Sequence, residues 1–280
     1  MNTPAAILPV LLLCLLGSFL GLGNTNAPEK TLTVSPAELE EPAYQLDTMT
    51  AQNVFAADTG TELAHYSYQL LTLSVLNADA LSQDSAGLAR RNTENFNARM
   101  IELMNESVEV GREVGNDALE VYRNTLQDIY FYDETAASGQ LCGQLISVRV
   151  DHGSYAGGAH DNTHVYSYLF DLTIGQFVDP SQIAENPAEF QKKAAAALLE
   201  KAEALELREQ YWSDYAEILA QWNEGTVLFD EEGMLVIYSS GGLGPYAMGE
   251  VELRLSCEEL SELAGPGSLE RLGIQPDEEP

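Results

Sequence analysis

NTENFNARMIELMNESVEVGREVGNDALEVYRNTLQDIYF, residues 92–131, decides the fold. Phe96, Met100, Leu103, Ser107, Val114, Ala118, Tyr122, Leu126 and Ile129 recur at three- or four-residue spacing, the period of one helical face. Gly111 and Gly115 lower helix propensity, yet the stripe runs through them in phase. One long amphipathic helix over 92–131 is predicted, with the glycines as the place for a bend. Its apolar stripe has to be buried against another element.

The flanking text supplies that element. Upstream, 47–57 (DTMTAQNVFAA) and 62–76 (ELAHYSYQLLTLSVL) are rich in β-branched and aromatic residues. The Asp58-Thr59-Gly60 turn between them reads as a hairpin. Downstream, Ser138-Gly139 closes the first half, and strands are expected at 140–150, 163–170 and 174–178. Helical spacing returns over 187–221. Strands at 226–230, 234–240 and 249–255 then precede a short helix from Glu258. No β-α-β alternation is present, so the fold class is α+β, a mostly antiparallel sheet packed against one long helix and a second helical segment.

The ends carry different text. Residues 5–22 (AAILPVLLLCLLGSFLGL) are almost unbroken apolar sequence, with no charge before Lys30. Residues 1–23 read either as a signal peptide ending at Gly21-Leu22-Gly23 or as an N-terminal membrane anchor. Both readings put the rest of the chain outside the cytoplasm, secreted or tethered at the cell envelope. Leu13 ahead of Cys14 suits lipidation poorly. Residues 24–45 are polar and proline-bearing and read as a tether, and 46–264 as one globular domain with halves at 46–135 and 136–264. The acidic, Pro/Gly-rich stretch 265–280 is expected to be a disordered tail.

The charge excludes whole classes of partner. With 44 Asp and Glu against 13 Lys and Arg, the net charge is -31. Such a surface repels phosphate backbones and anionic lipid head groups, which argues against nucleic acid and against membrane contact other than through the N-terminal segment. A cationic partner is the natural one. Outside the N-terminal run the chain has only Cys142 and Cys257, an even number that an oxidising compartment permits to pair.

Two glycine-bearing loops stand out. Residues 151–164 (DHGSYAGGAHDNTH) hold three of the four histidines. His152, His160 and His164 could ligate a metal such as zinc, whereas Gly157-Gly158 suits a strand-turn-strand that displays Tyr155 and His160. Residues 239–249 (SSGGLGPYAMG) join two strands with more residues than a tight turn needs. They display Pro245 and Tyr246, and Tyr246 can equally pack beneath the loop. No Gly-x-Ser-x-Gly, His-Glu-x-x-His or Cys-x-x-Cys is present. The chain is therefore expected to be non-catalytic and to need no cofactor.

Tyr155-Ala156-Gly157-Gly158-Ala159-His160 resembles the Y-x-G-G-A-H signature of an extracytoplasmic bacterial domain family. Phe170 to Gly175 resembles its strand and D-L-x-T-G turn, with Ile174 at the usual Thr. Leu228 to Ile237 resembles its hairpin, and Pro245 to Glu250 its P-Y-A-x-G loop. These domains occur in lysozyme-sensing anti-sigma factors (RsiV-like) and beside the catalytic domain of PdaC-like peptidoglycan deacetylases. The matches cover about 140–262 in the order the family sets; 46–135 agrees by layout alone. No stretch of this sequence reads as the cytoplasmic domain of the first group or the metal-dependent catalytic domain of the second, so neither is expected. The resemblance thus implies a sensing or binding module for a cationic protein such as lysozyme, or for a cell-wall component. The competing reading is a metal-dependent or peptidoglycan-active hydrolase using His152, His160 and His164.

Overall fold

The computed structural model describes residues 41–127 and 130–274, all within one unit spanning Pro36–Pro280. Residues 1–40, 128–129 and 275–280 lie outside it, and with them the N-terminal apolar run, most of the tether and Ile129.

The expected hairpin forms from β1 (Tyr44–Ala56) and β2 (Glu62–Val75), so the strand begins inside the stretch read as tether. The long helix α1 is Gln83–Thr125, displaced toward the N-terminus relative to 92–131. Ser82 sets its start: the hydroxyl accepts from the Ser85 amide at 3.2 Å and satisfies one of the unpaired N–H groups of the first turn. Leu126, in left-handed conformation at φ 55°, ends it.

The buried face of α1 carries Ala89, Asn92, Phe96, Met100, Met104, Gly111, Gly115 and Ala118. The two glycines thus serve contact with the sheet. A β-carbon at Gly111 would overlap Tyr66 and the Tyr68 hydroxyl, and one at Gly115 would overlap the Phe55 ring. Their absence lets the helix backbone lie directly on aromatic side chains of β1 and β2.

The next element after α1 is a strand that the sequence reading did not place. β3 (Phe131–Cys142) starts at the last residue of the expected helix and runs through the stretch up to the Ser138-Gly139 boundary where no strand was expected, and β4 is Leu145–Tyr155. The expected strand 140–150 is therefore the junction of two strands across the Gly143-Gln144 turn. In β3, Phe131, Asp133, Thr135 and Ala137 point inward. Two of those four are polar, which hides the period-two signal.

β5 (Asn162–Asp171) and β6 (Gln176–Val178) complete a six-stranded sheet in chain order, β1-β2-β3-β4-β5-β6. All pairings are antiparallel except β2 with β3, which are parallel because α1 provides the crossover between them. The second helical segment divides into α2 (Pro187–Ala204) and α3 (Tyr215–Ala220). β7 (Thr226–Asp230), β8 (Gly233–Tyr238) and β9 (Val251–Ser256) form a separate three-stranded antiparallel sheet rather than extending the first.

Hydroxyls fasten one sheet to the other. The Val227 amide donates to Ser167 Oγ at 2.7 Å and the Phe229 amide to Ser147 Oγ at 2.9 Å, while Thr226 Oγ1 donates to the Val165 carbonyl. Each sheet has its own core. α1 packs Phe96 and Met100 against Phe170 and Val148 of the larger sheet, whereas α2, α3 and the turn after α3 bring Phe190, Leu198, Leu219 and Trp222 to the smaller one.

The C-terminal stretch read as a disordered tail is ordered as far as it is described. After α4 (Cys257–Ala264), residues Gly267–Arg271 form α5 with Leu269 and Leu272 buried. The Gln144 amide donates to the Arg271 carbonyl at 2.8 Å, and Arg271 pairs with the buried Asp171. Cys142 and Cys257 are free thiols and do not form the disulfide the sequence allowed. Cys142 Sγ donates to the Phe229 carbonyl and Cys257 Sγ to the Glu231 carbonyl, each at 3.3 Å. Burial raises the Cys142 thiol pKa to about 11.

Candidate functional site

Positive φ at Gly157 (91°) and Gly158 (126°) turns β4 back toward β5. The turn is closed by Tyr155, whose hydroxyl donates to the Gly158 carbonyl at 3.1 Å. His160 then leaves the turn exposed, with Nδ1–H donating to the Asp161 carbonyl at 2.7 Å. A carbonyl can only accept, so this bond places a proton on Nδ1.

The 239–249 loop reaches the same place from the smaller sheet. Its start is held where Ser239 Oγ accepts from the Val165 amide at 2.9 Å, and Leu243 is buried beneath it. Pro245 is exposed and Tyr246 half-buried. The Tyr246 ring lies on His160, with centroids 4.4 Å apart and planes 19° from parallel, and its hydroxyl is 3.3 Å from Thr163 Oγ1. The two loops therefore meet. Of the six residues singled out, His160 and Tyr246 touch directly, Tyr155, Gly157 and Gly158 build the turn behind them, and Pro245 flanks Tyr246.

Through Thr163 this stacked pair adjoins a groove of about 460 Å³ on the face of the larger sheet away from α1. Ser67, Gln69, Glu134, Asp151, Thr163 and Glu250 line it. Asp151 accepts both oxygens' bonds from Arg149 Nε, at 2.9 and 3.0 Å, and Glu250 lies 4.0 Å from the same guanidinium. Glu134 accepts from His65 Nε2 at 2.6 Å. One arginine among three carboxylates leaves the groove net negative.

An aromatic row borders it. His65 stacks between Tyr130 and Tyr132 at 5.5 and 6.0 Å, and Tyr132 stacks on Tyr155 at 6.3 Å while donating to Asp161 at 3.0 Å. Sequence reading did not single out Tyr132, Glu134 or Glu250, because nothing in the chain marks a register-paired row. It also missed Trp212, 44% exposed, whose Nε1 donates to the Gly241 carbonyl at 3.2 Å. An apolar residue in helical text reads as core, and only the loop packing shows it beside the glycine cluster.

The three histidines do not assemble as ligands. His152 and His164 face each other on β4 and β5, but His152 turns Nε2 to Asp133 at 3.1 Å, and Asp133 also accepts from Tyr68 at 2.7 Å. His160 instead stacks on Tyr246. Among the described residues no group of three His, Cys, Asp or Glu side chains is placed to hold a metal ion. The Tyr68–Asp133–His152 chain sits inside the sheet–α1 layer. Burial, reinforced by the Asp133 carboxylate, keeps the Tyr68 hydroxyl protonated far above its ordinary range.

No family model matches the chain, and no curated protein matches it. Solved structures do. A DUF3298 family member from Bacteroides fragilis superposes with a TM-score of 0.55 at 15% identity, over 84% of this chain and 99% of that one. A DUF3298 family protein from Pseudomonas aeruginosa PAO1 superposes with a TM-score of 0.51 at 13% identity, over 82% and 98%. At such identities the likeness is one of fold, and it extends over nearly the whole of both neighbours. Among the described residues no helix is long and apolar enough to cross a membrane.

Proposed function

We propose that this chain is an extracytoplasmic, non-catalytic binding module of the DUF3298 type, akin to the sensing domains of RsiV-like anti-sigma factors, and that it docks a cationic macromolecule, lysozyme being the model partner. The observation that carries this reading is the meeting of the two glycine loops, where His160 stacks on Tyr246 and Tyr246 in turn reaches Thr163 of a carboxylate-lined groove. Loops held by a rigid sheet are a common way to display a recognition surface. Tyrosine and tryptophan supply contact area at little entropic cost, and the surrounding charge of -31 steers a cation toward them. The fold shared with DUF3298 proteins supports the assignment, as do the ordered sequence matches over about 140–262. His160 stacks on Tyr246 apart from the facing pair His152 and His164, and the lack of a three-ligand group among the described residues weighs against the metal-dependent hydrolase reading.

The test is a pull-down with lysozyme and, separately, with peptidoglycan, each at low and at half-molar salt. Salt-sensitive capture of lysozyme supports the proposal. Capture of peptidoglycan alone, indifferent to salt, shifts the reading to a glycan-binding module. Loss of both ligands ends it.

A further inference from the structure

The acidic groove is not the molecule's only open surface. β1 is an edge strand of the larger sheet: it pairs with β2 on one side, and among the described residues no strand lies on the other. An unpaired edge exposes a row of N–H and C=O groups that templates another strand. Proteins blunt such edges with short strands, prolines, lysines or bulges. β1 has thirteen residues, no proline and no lysine, and its one irregularity lies at its end, at Phe55/Ala56. The opposite edge, β6, has only three residues.

The composition of β1 is also unlike that of the rest of the chain. Its sequence YQLDTMTAQNVFA holds a single charged residue, Asp47, whereas the whole chain is 20% charged and strongly acidic. Placed antiparallel to a copy of itself about Thr50, it is self-complementary. Leu46 then faces Val54, Asp47 faces Asn53, Thr48 faces Gln52, Met49 faces Ala51 and Gln45 faces Phe55. No like charges oppose one another, and the half-exposed Val54 gains an apolar neighbour. A twofold axis through Thr50 is the isologous arrangement that closes a dimer without leaving a new edge between the copies.

We propose that β1 is a homodimer interface, joining two copies edge to edge into one continuous twelve-stranded sheet about a twofold axis at Thr50. The remainder of each copy is heavily negative, so the two repel at long range and salt screens that repulsion. Dimerisation therefore strengthens with salt, opposite in sign to the docking of a cation.

The test uses the full chain. Light scattering is read at a protein concentration of about 100 μM, since association follows mass action. The dimer mass is expected, with a dimer fraction that rises with salt, and Thr50→Lys, which sets two lysines against each other on the axis, is expected to return the monomer. Thr50→Cys brings two thiols together across the axis and should cross-link under mild oxidation. Thr59→Cys, in the exposed β1–β2 turn, carries the same native cysteines and should not. A monomeric wild type, a dimer unaffected by Thr50→Lys, or cross-linking no greater in Thr50→Cys than in Thr59→Cys would each overturn the proposal. The cysteine pair decides it if the lysine variant fails to fold.

Discussion

Tyr246 has one face on His160 and its hydroxyl near Thr163, and it is not enclosed by the core. Tyr246→Ala should therefore weaken binding of a cationic partner by roughly 1–3 kcal/mol, as interface tyrosines do. Its cost to folding should stay well below the ~3–5 kcal/mol of a buried aromatic truncation. Melting curves recorded beside binding curves separate the two effects. A variant that melts far lower yet binds normally when folded would assign Tyr246 to packing. Trp212→Ala belongs to the same test, because its ring lies exposed on the neighbouring loop. The turn residues were readable in the sequence because positive φ at Gly157 and Gly158 is a backbone demand that glycine meets without strain. Trp212 was not, because exposure of an apolar side chain depends on which loop packs beside it.

At the scale of elements, glycines in α1 should respond to alanine in opposite directions. Gly87 faces open space, so Gly87→Ala should stabilise the protein by about 0.5–1 kcal/mol through helix propensity alone. Gly111→Ala and Gly115→Ala drive a methyl into Tyr66, Tyr68 and Phe55 and should destabilise by about 1–3 kcal/mol. Denaturant melts of the three variants check the signs, and stabilisation by Gly111→Ala would mean the helix does not lie on those rings. In the smaller sheet, Asp230 accepts from Arg254 at 2.7 and 2.9 Å. Burial alone would raise the Asp230 pKa, but the bonds and charge of Arg254, together with the Glu232 and Gly233 amides that also donate to it, hold the carboxyl below its ordinary 3.8. A folded-state pKa that is depressed adds stability above the unfolded value and loses it as pH falls through the folded one. The stability gap between wild type and Asp230→Asn should thus be constant near neutral pH and close below about pH 4, read by chemical denaturation. A gap unchanged at pH 3 would place the effect elsewhere than in this ion pair. The long helix was legible from its stripe, whereas β3 was not, since Asp133 and Thr135 occupy two of its four inward positions. Asp133 is there to accept from Tyr68 and His152, a demand of the folded layer that leaves no periodic trace.

At the scale of the whole molecule, the α+β class followed from strands that mostly neighbour one another in sequence, whereas the single β2–α1–β3 parallel crossover went against the expected absence of β-α-β units. The division into two sheets did not follow, because hydroxyl bonds from Ser147, Ser167 and Thr226 fasten β7 to the larger sheet, and isolated Ser and Thr residues carry no pairing signal. That junction brings together two loops more than eighty residues apart in the chain. This junction, in an acidic molecule, is the proposed docking site for a cation. The most direct measurement is a calorimetric titration of the wild type and of Tyr246→Ala with lysozyme across rising salt. Wild-type affinity should fall steadily as the Debye length shortens from about 10 Å, and the variant should be uniformly weaker at every salt. Binding indifferent to half-molar salt and to Tyr246, or no binding at low salt, would contradict this docking.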